Sequence, residues 1–291
     1  MKWHSYHNAA QFLASVGAYL EQREAESNLA LGLLYSLAEG RRGIEQAAPL
    51  MAAVENSGRP VLVLVMTPPN QLVIADIESG SALLEAIRIA VESLAALGVA
   101  VPGVIGDPDT ASAFAQAWEG QNGCSSEVVM NQRIYRLDHV NEVPRGPGDL
   151  RIAKEADTEL VANWIREFSV EVDIGEPMPY DTAVRKAGDS IGERSLYLWE
   201  DHGEPVSMAK RARPTRHGVV ISLVYTPPAL RGKGYATSCV ASLSQLLLEE
   251  GYQFCSLYTD LSNPTSNHIY QNIGYKPVRE SVDLRFIQCR A

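Results

Sequence analysis

Two stretches of this 291-residue sequence carry residue types that could do chemistry. The first runs Val224-Tyr225-Thr226-Pro227-Pro228-Ala229-Leu230-Arg231-Gly232-Lys233-Gly234-Tyr235-Ala236. Gly232 and Gly234 leave the main chain bare, so several N–H groups can converge on one anion. The helix expected to follow adds the positive end of its dipole, and Arg231 and Lys233 add local cations. The small Ala236 lets a ligand approach the first helical turn. A diphosphate is the natural guest. The sequence contains neither G-x-x-x-x-G-K-[ST] nor G-x-G-x-x-G, which argues against a nucleotide loop of either common kind. Proline has no N–H to give a ladder, so pairing should stop near Thr226. The strand carrying Val224 to Thr226 can then splay from its neighbour over 254–259. Its bare edge suits an amide-bearing arm that binds as an added strand. Pantetheine is such an arm, and it ends in a pyrophosphate.

The second stretch is Asn263-Pro264-Thr265-Ser266-Asn267-His268-Ile269-Tyr270-Gln271-Asn272-Ile273-Gly274-Tyr275. Asn263 is a good N-cap and Pro264 a good first helical residue. Asn263, Asn267 and Tyr270 fall on one helical face, with Ile269 and Ile273 on the other. A phenol, with an ordinary pKa of about 10, stays protonated at neutral pH; it can hydrogen-bond a departing thiolate and return a proton to it. The competing reading makes Tyr270 a core tyrosine with a satisfied hydroxyl and Asn263 a helix cap alone.

The periodicity predicts the elements that position these stretches. Helices are expected over 8–19, 28–37 and 43–56, then strands over 61–66 and 72–77. A helix follows over 81–97, with Leu84, Ile87, Val91 and Leu94 as its apolar stripe. A strand over 99–105, a helix over 109–118 and a strand over 127–137 complete the first half. Pro144-Arg145-Gly146-Pro147-Gly148 reads as a linker, which gives domains 1–148 and 149–291. The second half reads as a strand over 150–153, helices over 156–170 and 181–192, and a loop over 171–180. Strands follow over 195–199, 205–212 and 218–226, with Asp201-His202-Gly203-Glu204 as a hairpin turn. A helix over 234–250, a strand over 254–259, a helix over 264–273 and a strand over 278–287 end the chain. The order helix, strand, Pro-led helix, strand thus occurs over 81–137 and again over 234–287, which marks an internal repeat. Asp107-Pro108 corresponds to Asn263-Pro264, and Phe114 then stands where the second copy has Tyr270.

Composition narrows the class. The net charge of −10 disfavours nucleic acid and anionic membrane as partners and suits a cationic acceptor. Hydrophobic residues at 46% and charged residues at 21% are those of a globular protein. The cysteines at 124, 239, 255 and 289 form no C-x-x-C pair and have no His at ligand spacing, so no metal is expected. Their scatter fits a reducing compartment. Met1-Lys2-Trp3-His4 opens no signal peptide, and the longest apolar run, 61–66, is far short of a membrane span. A cytoplasmic location is expected.

These residues resemble the GNAT superfamily of N-acyltransferases. Its acyl-CoA loop reads [QR]-x-x-G-x-[GA], and Arg231-Gly232-Lys233-Gly234-Tyr235-Ala236 is similar to it. Its later segment reads N-x-x-[SA]-x-x-x-Y-x-x-x-G-[FY], which the stretch from Asn263 to Tyr275 resembles, with Ser266 in place and Tyr270 at the catalytic tyrosine. The Val-Tyr-Thr-Pro-Pro start resembles a bacterial branch of acetyltransferases with an additional N-terminal domain. One departure is Thr226, where the family often has a smaller aliphatic residue. The resemblance covers about 150–287. It implies an α/β (α+β, GNAT-like) fold class: a mixed, mostly antiparallel central sheet flanked by helices, duplicated in tandem. It implies acetyl-CoA as cosubstrate and an N-acetyltransferase acting by direct attack of a primary amine in a ternary complex. It also implies that Val224, Tyr225 and Thr226 pair with pantetheine and polarise the thioester carbonyl. Arg231, Gly232, Lys233, Gly234, Tyr235, Ala236 and Thr237 would hold the pyrophosphate, with Asn263 and Asn267 as further cofactor contacts and Tyr270 as the acid. Residues 1–148 would be a degenerate copy that shapes the acceptor site or an interface; the competing reading is a helical-and-sheet domain of unrelated origin. The alternative is a CoA-binding regulatory or scaffold protein without turnover.

The acceptor side is less legible. Glu167, Glu171 and Asp173 are candidate general bases near the cleft mouth, as is a water chain. His217 opens the strand that leads to the cofactor, and Arg211 and Arg213 could meet an acceptor carboxylate. The acceptor itself, a small-molecule amine or a protein amine, is not identified, and a homodimer is left open.

Overall fold

The computed structural model describes residues 1–40, 48–172 and 178–287. These fall into two compact units. The first holds Met1–Ile134, Thr259–Ser262 and the described part of Val278–Ala291; the second holds Tyr135–Tyr258 and Asn263–Pro277.

The first repeat runs β1 (Lys2–Ser5), α1 (Ala9–Leu20), α2 (Asn28–Ala38), β2 (Leu50–Asn56), β3 (Arg59–Met66), β4 (Leu72–Asp76), α3 (Gly80–Ala96), β5 (Gly103–Gly106), α4 (Pro108–Asn122) and β6 (Ser125–Leu137). The second runs β7 (Asp149–Ile152), α5 (Thr158–Val172), α6 (Tyr180–Gly192), β8 (Leu196–Asp201), β9 (Glu204–Ala212), β10 (Gly218–Tyr225), α7 (Tyr235–Glu249), β11 (Phe254–Asp260), α8 (Pro264–Ile273) and β12 (Lys276–Ile287). The order of strands and helices is the same in both.

In the first unit the strand order is β1-β2-β3-β4-β5-β12-β6. Only β4 and β5 among the registered pairs run parallel, through Leu72↔Val104 and Val73↔Ile105. β3 is buried along nearly its whole length because both sheet faces are covered. Leu62, Leu64 and Met66 pack on the face with α3 and α4, and Val63 and Val65 on the face with α1 and α2. The final strand of the chain belongs here: β12 pairs antiparallel with β5 through Val282↔Gly106 to Arg285↔Gly103. Val282, Leu284 and Phe286 are part of that core.

The second unit orders β11-β10-β9-β8-β7, antiparallel except for β10 beside β11. One face packs Tyr197, Val219 and Ile221 against Cys239, Leu243 and Leu247 of α7 and Ile273 of α8. The other packs Leu196, Leu198 and Met208 against Val161, Trp164 and Ile165 of α5 and Ala183 and Ala187 of α6. Tyr135 and Leu137, at the end of β6, are buried in the first of these clusters.

Several sequence expectations are corrected. The segment expected as a helix over 43–56 is strand β2 from Leu50; its residues 43–47 lie outside the described ones. Met51, Ala52, Ala53 and Val54 are buried, and an apolar run covered on both faces carries no alternation to mark it as strand. β1 was not anticipated, being four residues with one partly buried side chain. Leu84, expected in the core stripe of α3, is exposed, while Ile87, Val91 and Leu94 are buried. Glu171 and Val172 continue α5 rather than opening a loop. The stretch 144–148, read as a linker before a boundary at 148, lies within the second unit, which begins at Tyr135. Gly146 and Pro147 are pinned: Gly146 N–H donates to Ser238 Oγ at 2.7 Å and Trp199 Nε1 donates to Pro147 O at 2.9 Å.

The two repeats share a hairpin. Ser57 and Gly58 have φ of 51° and 78°, and His202 and Gly203 have 52° and 83°, so β2–β3 and β8–β9 turn with two left-handed residues each. A register shift follows at the same place in both, at Val54/Glu55 and at Trp199/Glu200. The sequences Glu55-Asn56-Ser57-Gly58-Arg59-Pro60-Val61 and Glu200-Asp201-His202-Gly203-Glu204-Pro205-Val206 share the pattern Glu-x-x-Gly-x-Pro-Val, a duplication signal readable in the chain itself.

Candidate active site

β10 is the element that opens the site. Its parallel ladder with β11 runs Gly218↔Phe254, Val219↔Cys255, Val220↔Ser256 and stops there, although β10 continues to Tyr225. On its other edge the pairing with β9 shifts by one residue between Ser222 and Tyr225, where Leu223 takes φ 52°. This bulge bends the strand and re-aims its last residues. Proline composition anticipated the end of pairing; the bulge has no proline or glycine to announce it. The final residues are pinned. Ser207 Oγ donates to Tyr225 O at 3.1 Å and lies 2.9 Å from Thr226 Oγ1, and Arg231 Nε donates to Thr226 O at 2.8 Å.

The turn after β10 places Gly232 at φ 79° and Gly234 at φ 81°, conformations that cost a residue with a Cβ about 1–2 kcal/mol. Gly234 is the N-cap of α7 and brings no side chain to the helix end. Leu230 N–H and Arg231 N–H bond back to Pro227 and Pro228, and Ser238 N–H bonds Gly234 O. Between them, no hydrogen bond among the described residues satisfies the N–H groups from Gly232 through Thr237. By contrast α8 is capped, with Asn263 Oδ1 accepting from Ser266 N–H at 3.0 Å. A row of bare N–H groups at a helix start is a geometry for phosphate oxygens.

Arg231 does not face this row with its whole guanidinium. Besides its bond to Thr226 O, its Nη2 pairs with Glu171, and its Cζ lies 5.7 Å from the Tyr225 ring centroid. Lys233 has no hydrogen bond or ion pair among the described residues.

α8 brings Tyr270 to the second unit's core, 8% exposed. Burial, and secondarily the neighbouring Cys239, raises its pKa well above the ordinary value, so the phenol keeps its proton. No hydrogen bond is made by its hydroxyl among the described residues. Tyr275 nearby does have one, with Ser244 Oγ at 2.9 Å. The reading of Tyr270 as a satisfied core tyrosine therefore does not describe it. Asn267 serves the fold: its Oδ1 accepts from Tyr135 at 2.9 Å and its Nδ2 donates to Asn263 O at 2.7 Å. Its place on the Tyr270 face was legible; its engagement by Tyr135, distant in sequence, was not.

Among the acceptor-side candidates, Glu167 accepts a 2.8 Å hydrogen bond from Tyr225 Oη. Burial, then that carboxylate, raises the Tyr225 pKa above its ordinary value. Glu171 is paired with Arg231, and Asp173 lies outside the described residues. His217 precedes β10 and so stands at the end opposite Tyr225. Arg211 pairs with Glu250 at 3.6 Å, and the buried Nε of Arg213 has no hydrogen-bond partner among the described residues. Neither arginine stands at the splayed end: Arg211 is opposite Ile221, and Arg213 follows the end of β9.

The first unit does not repeat this geometry. Phe114, fully buried, stands six residues after Pro108, as Tyr270 stands after Pro264. A Cβ on Gly106 would lie 2.9 Å from Ile74 O, so β5 is drawn close against β4 beyond their registered pairs. Arg279 then joins Asp76 at the end of β4 to Asp107 at the cap of α4, at 2.8 and 3.0 Å, and to Glu26 at 3.3 Å. Among the described residues no three His, Cys, Asp or Glu side chains gather as for a metal ion, and no helix is long and apolar enough to cross a membrane.

Comparison with known proteins follows the same lines. Residues 202–283 match the family of FR47-like proteins. No curated protein matches the sequence. Among solved structures, a GNAT-family acetyltransferase from Colwellia psychrerythraea is similar at 14% identity and TM-score 0.56, over 98% of this chain and 99% of that one. A GCN5-related N-acetyltransferase from Sphaerobacter thermophilus is similar at 13% identity and TM-score 0.63, over 99% and 97%. A tandem GNAT protein from the clavulanic acid biosynthesis pathway is similar at 13% identity and TM-score 0.56, over 100% and 99%. With two repeats of one element order and a parallel pair that parts in front of a glycine turn, the chain has the tandem GNAT fold, and the FR47-like match lies over the second repeat.

Proposed function

We propose that the second unit transfers an acetyl group from acetyl-CoA to a primary amine within a ternary complex. One observation supports this above all. The unpaired end of β10 leads directly into a helix start whose N–H groups from Gly232 to Thr237 have no partner among the described residues. An extended amide arm ending in a diphosphate fits that succession, and coenzyme A has that chemistry.

In this reading the edge from Val224 to Thr226 pairs with the pantetheine amides and donates toward the thioester oxygen, where negative charge develops. Lys233 and the bare N–H groups through Tyr235, Ala236 and Thr237 hold the diphosphate. Arg231 contributes by bracing Thr226 O, and Asn263 and Asn267 by setting α8. The amine nitrogen attacks the carbonyl carbon; the C–N bond forms and the C–S bond breaks. Tyr270 gives its proton to the departing thiolate. The proton lost by the amine passes to Glu167, which carries no cation among the described residues and whose carboxylate Tyr225 holds. Alignment of amine and thioester accounts for much of the rate.

The first unit is, on this proposal, a degenerate copy whose cleft Gly106 and Arg279 close. A cytoplasmic location is in keeping with the buried free thiols of Cys239 and Cys255. The test is release of free thiol from acetyl-CoA across a panel of small amines and peptide amines. Release with at least one amine supports the enzyme. Calorimetric binding of CoA with no release from any amine supports a CoA-binding protein without turnover instead.

A further inference from the structure

Before β7, the chain crosses the start of α7. Gly146 N–H donates to Ser238 Oγ at 2.7 Å, and Ser238 Oγ donates in turn to Gly234 O at 3.0 Å. A Cβ on Gly146 would lie 3.0 Å from Lys233 O, a tight contact, and 3.5 Å from Tyr235 Cδ1, so the two segments cross closely. The nitrogen of Gly146 is itself 3.9 Å from where a Cβ of Gly234 would stand. Pro147 O accepts from Trp199 Nε1 at 2.9 Å, which fixes the next residue as well. The residue whose peptide bond ends at this clamped nitrogen is Arg145. Its side chain is exposed and has no ion pair or hydrogen bond among the described residues.

The charge balance around the turn gives that arginine a use. Arg231 is tied to Thr226 O and Glu171. On the Tyr235 side, Asp201 accepts the tyrosine hydroxyl at 2.6 Å, and Asp149 and Glu200 line the neighbouring cavity. Arg151 in that cavity is bound to Asp157 and Glu200. Of the turn's two cations, that leaves Lys233 as the one without a partner among the described residues, a thin complement for a cofactor bearing several phosphate charges on a chain of net charge −10.

We propose that Arg145 is a phosphate-binding residue of the coenzyme site, brought there by the Gly146–Ser238 clamp, and that it pairs with a phosphate of coenzyme A beside α7. The inference rests on the reading of that turn as a coenzyme A site. It deepens that reading by adding a cation from the 144–148 stretch, outside the glycine loop. A guanidinium is suited to this because it meets phosphate oxygens with two parallel N–H donors.

The test is calorimetric titration of the full chain with CoA and with 3′-dephospho-CoA, for wild type, Arg145→Ala and Arg145→Lys. Arg145 is exposed and has no partner among the described residues, so melting temperatures should coincide and confirm intact folding. Arg145→Ala should weaken CoA binding by about five- to tenfold, with a shallower salt dependence, and Arg145→Lys should recover part of the loss. If the loss vanishes with 3′-dephospho-CoA, Arg145 pairs with the 3′-phosphate; if it persists, with the diphosphate. Either result supports the proposal. Equal affinities of wild type and Arg145→Ala for CoA would overturn it and leave the site reading standing. No binding of CoA by wild type would overturn that reading and this inference together.

Discussion

The rings of Tyr270 and Tyr275 meet edge to face, with centroids 6.0 Å apart and planes at 66°, yet among the described residues only the hydroxyl of Tyr275 has a partner, Ser244. Two phenols in one core thus have different work. Tyr275→Phe removes a buried hydrogen bond and should cost about 1 kcal/mol of stability while leaving acetyl transfer nearly unchanged. Tyr270→Phe removes no bond that supports the fold. It should leave melting temperature and CoA affinity alone and lower turnover by about two orders of magnitude, the usual share of an acid. Thiol-release rates beside thermal melts separate the two. Equal rates for wild type and Tyr270→Phe would take the acid role from Tyr270.

The glycine turn permits a matched control. Gly232 has φ 79° and Gly58 has φ 78°, and a Cβ at either would meet nothing within 4 Å. Alanine at each should therefore impose the same backbone strain, about 1–2 kcal/mol. Gly58 lies in the hairpin of the first unit, far in sequence from the turn proposed to hold phosphates. Gly232→Ala should weaken CoA by at least about tenfold because the main chain itself would be the ligand. Gly58→Ala should lower stability by a similar amount and leave CoA binding intact. Equal CoA affinity in both variants would argue against the Gly232 N–H as a contact.

The contrast shows what the sequence could reveal. Arg231-Gly232-Lys233-Gly234 announces its geometry because glycine marks left-handed turns and proline marks the end of pairing. Leu223, at φ 52° in the bulge, announces nothing, since its conformation is imposed by neighbouring strands. Arg231 looked like a phosphate cation by its place in the motif; Glu171, sixty residues away, decided its engagement. Strand β12 read correctly as a strand, but its partner β5 lies in the other repeat, and local pattern contains no information on partner choice. The shared Glu-x-x-Gly-x-Pro-Val hairpin was legible in both halves and is the clearest residue-level mark of duplication.

Thiol chemistry offers an independent check on the second unit's packing. Burial pushes the thiols of Cys239 and Cys255 up to about 12. At pH 8 that leaves roughly one thiolate in ten thousand, and the thiolate is the reactive form. Peptide mapping after brief alkylation of the native protein should find Cys239 and Cys255 unlabelled and should find them labelled once urea unfolds the chain. Fast native labelling at Cys239, which lies near Tyr270, would mean that this face is open rather than packed.

Acid should weaken the base of the second unit in a defined window. Asp157 receives Arg151 through two bonds of 2.7 and 3.0 Å and Lys154 N–H at 2.7 Å. The hydrogen bond from Arg151 is the main reason its pKa falls below the usual 3.8. A carboxylate whose folded pKa is depressed contributes stability above its unfolded value, and that contribution is lost as pH falls through the folded value. Asp157→Asn should therefore cost about 1.5–3 kcal/mol at pH 7. The gap between wild type and variant should close below pH 3.8. Urea midpoints at neutral pH and through the acid range measure it; a gap that stays constant with pH would show that Asp157 acts by packing.

Phe286, near the end of the chain, should be felt in the first unit. Its N–H donates to Pro102 O at 2.9 Å, and its ring lies 5.9 Å from that of Trp118 on α4. It is 8% exposed and belongs to the core that includes Val104, Phe114 and Trp118. Phe286→Ala removes a buried ring and should destabilise by about 3–5 kcal/mol. Hydrogen exchange should then quicken in β5 and α4, which surround the lost ring, with a change in Trp118 fluorescence. Backbone amides of α7, which packs in the other unit, should keep their protection under native conditions, because subglobal opening follows compact units rather than sequence order. Faster exchange confined to α7 and α8, the helices that precede Phe286 in its own repeat, would show that the last strand stabilises the repeat that encodes it and not the unit whose core it completes.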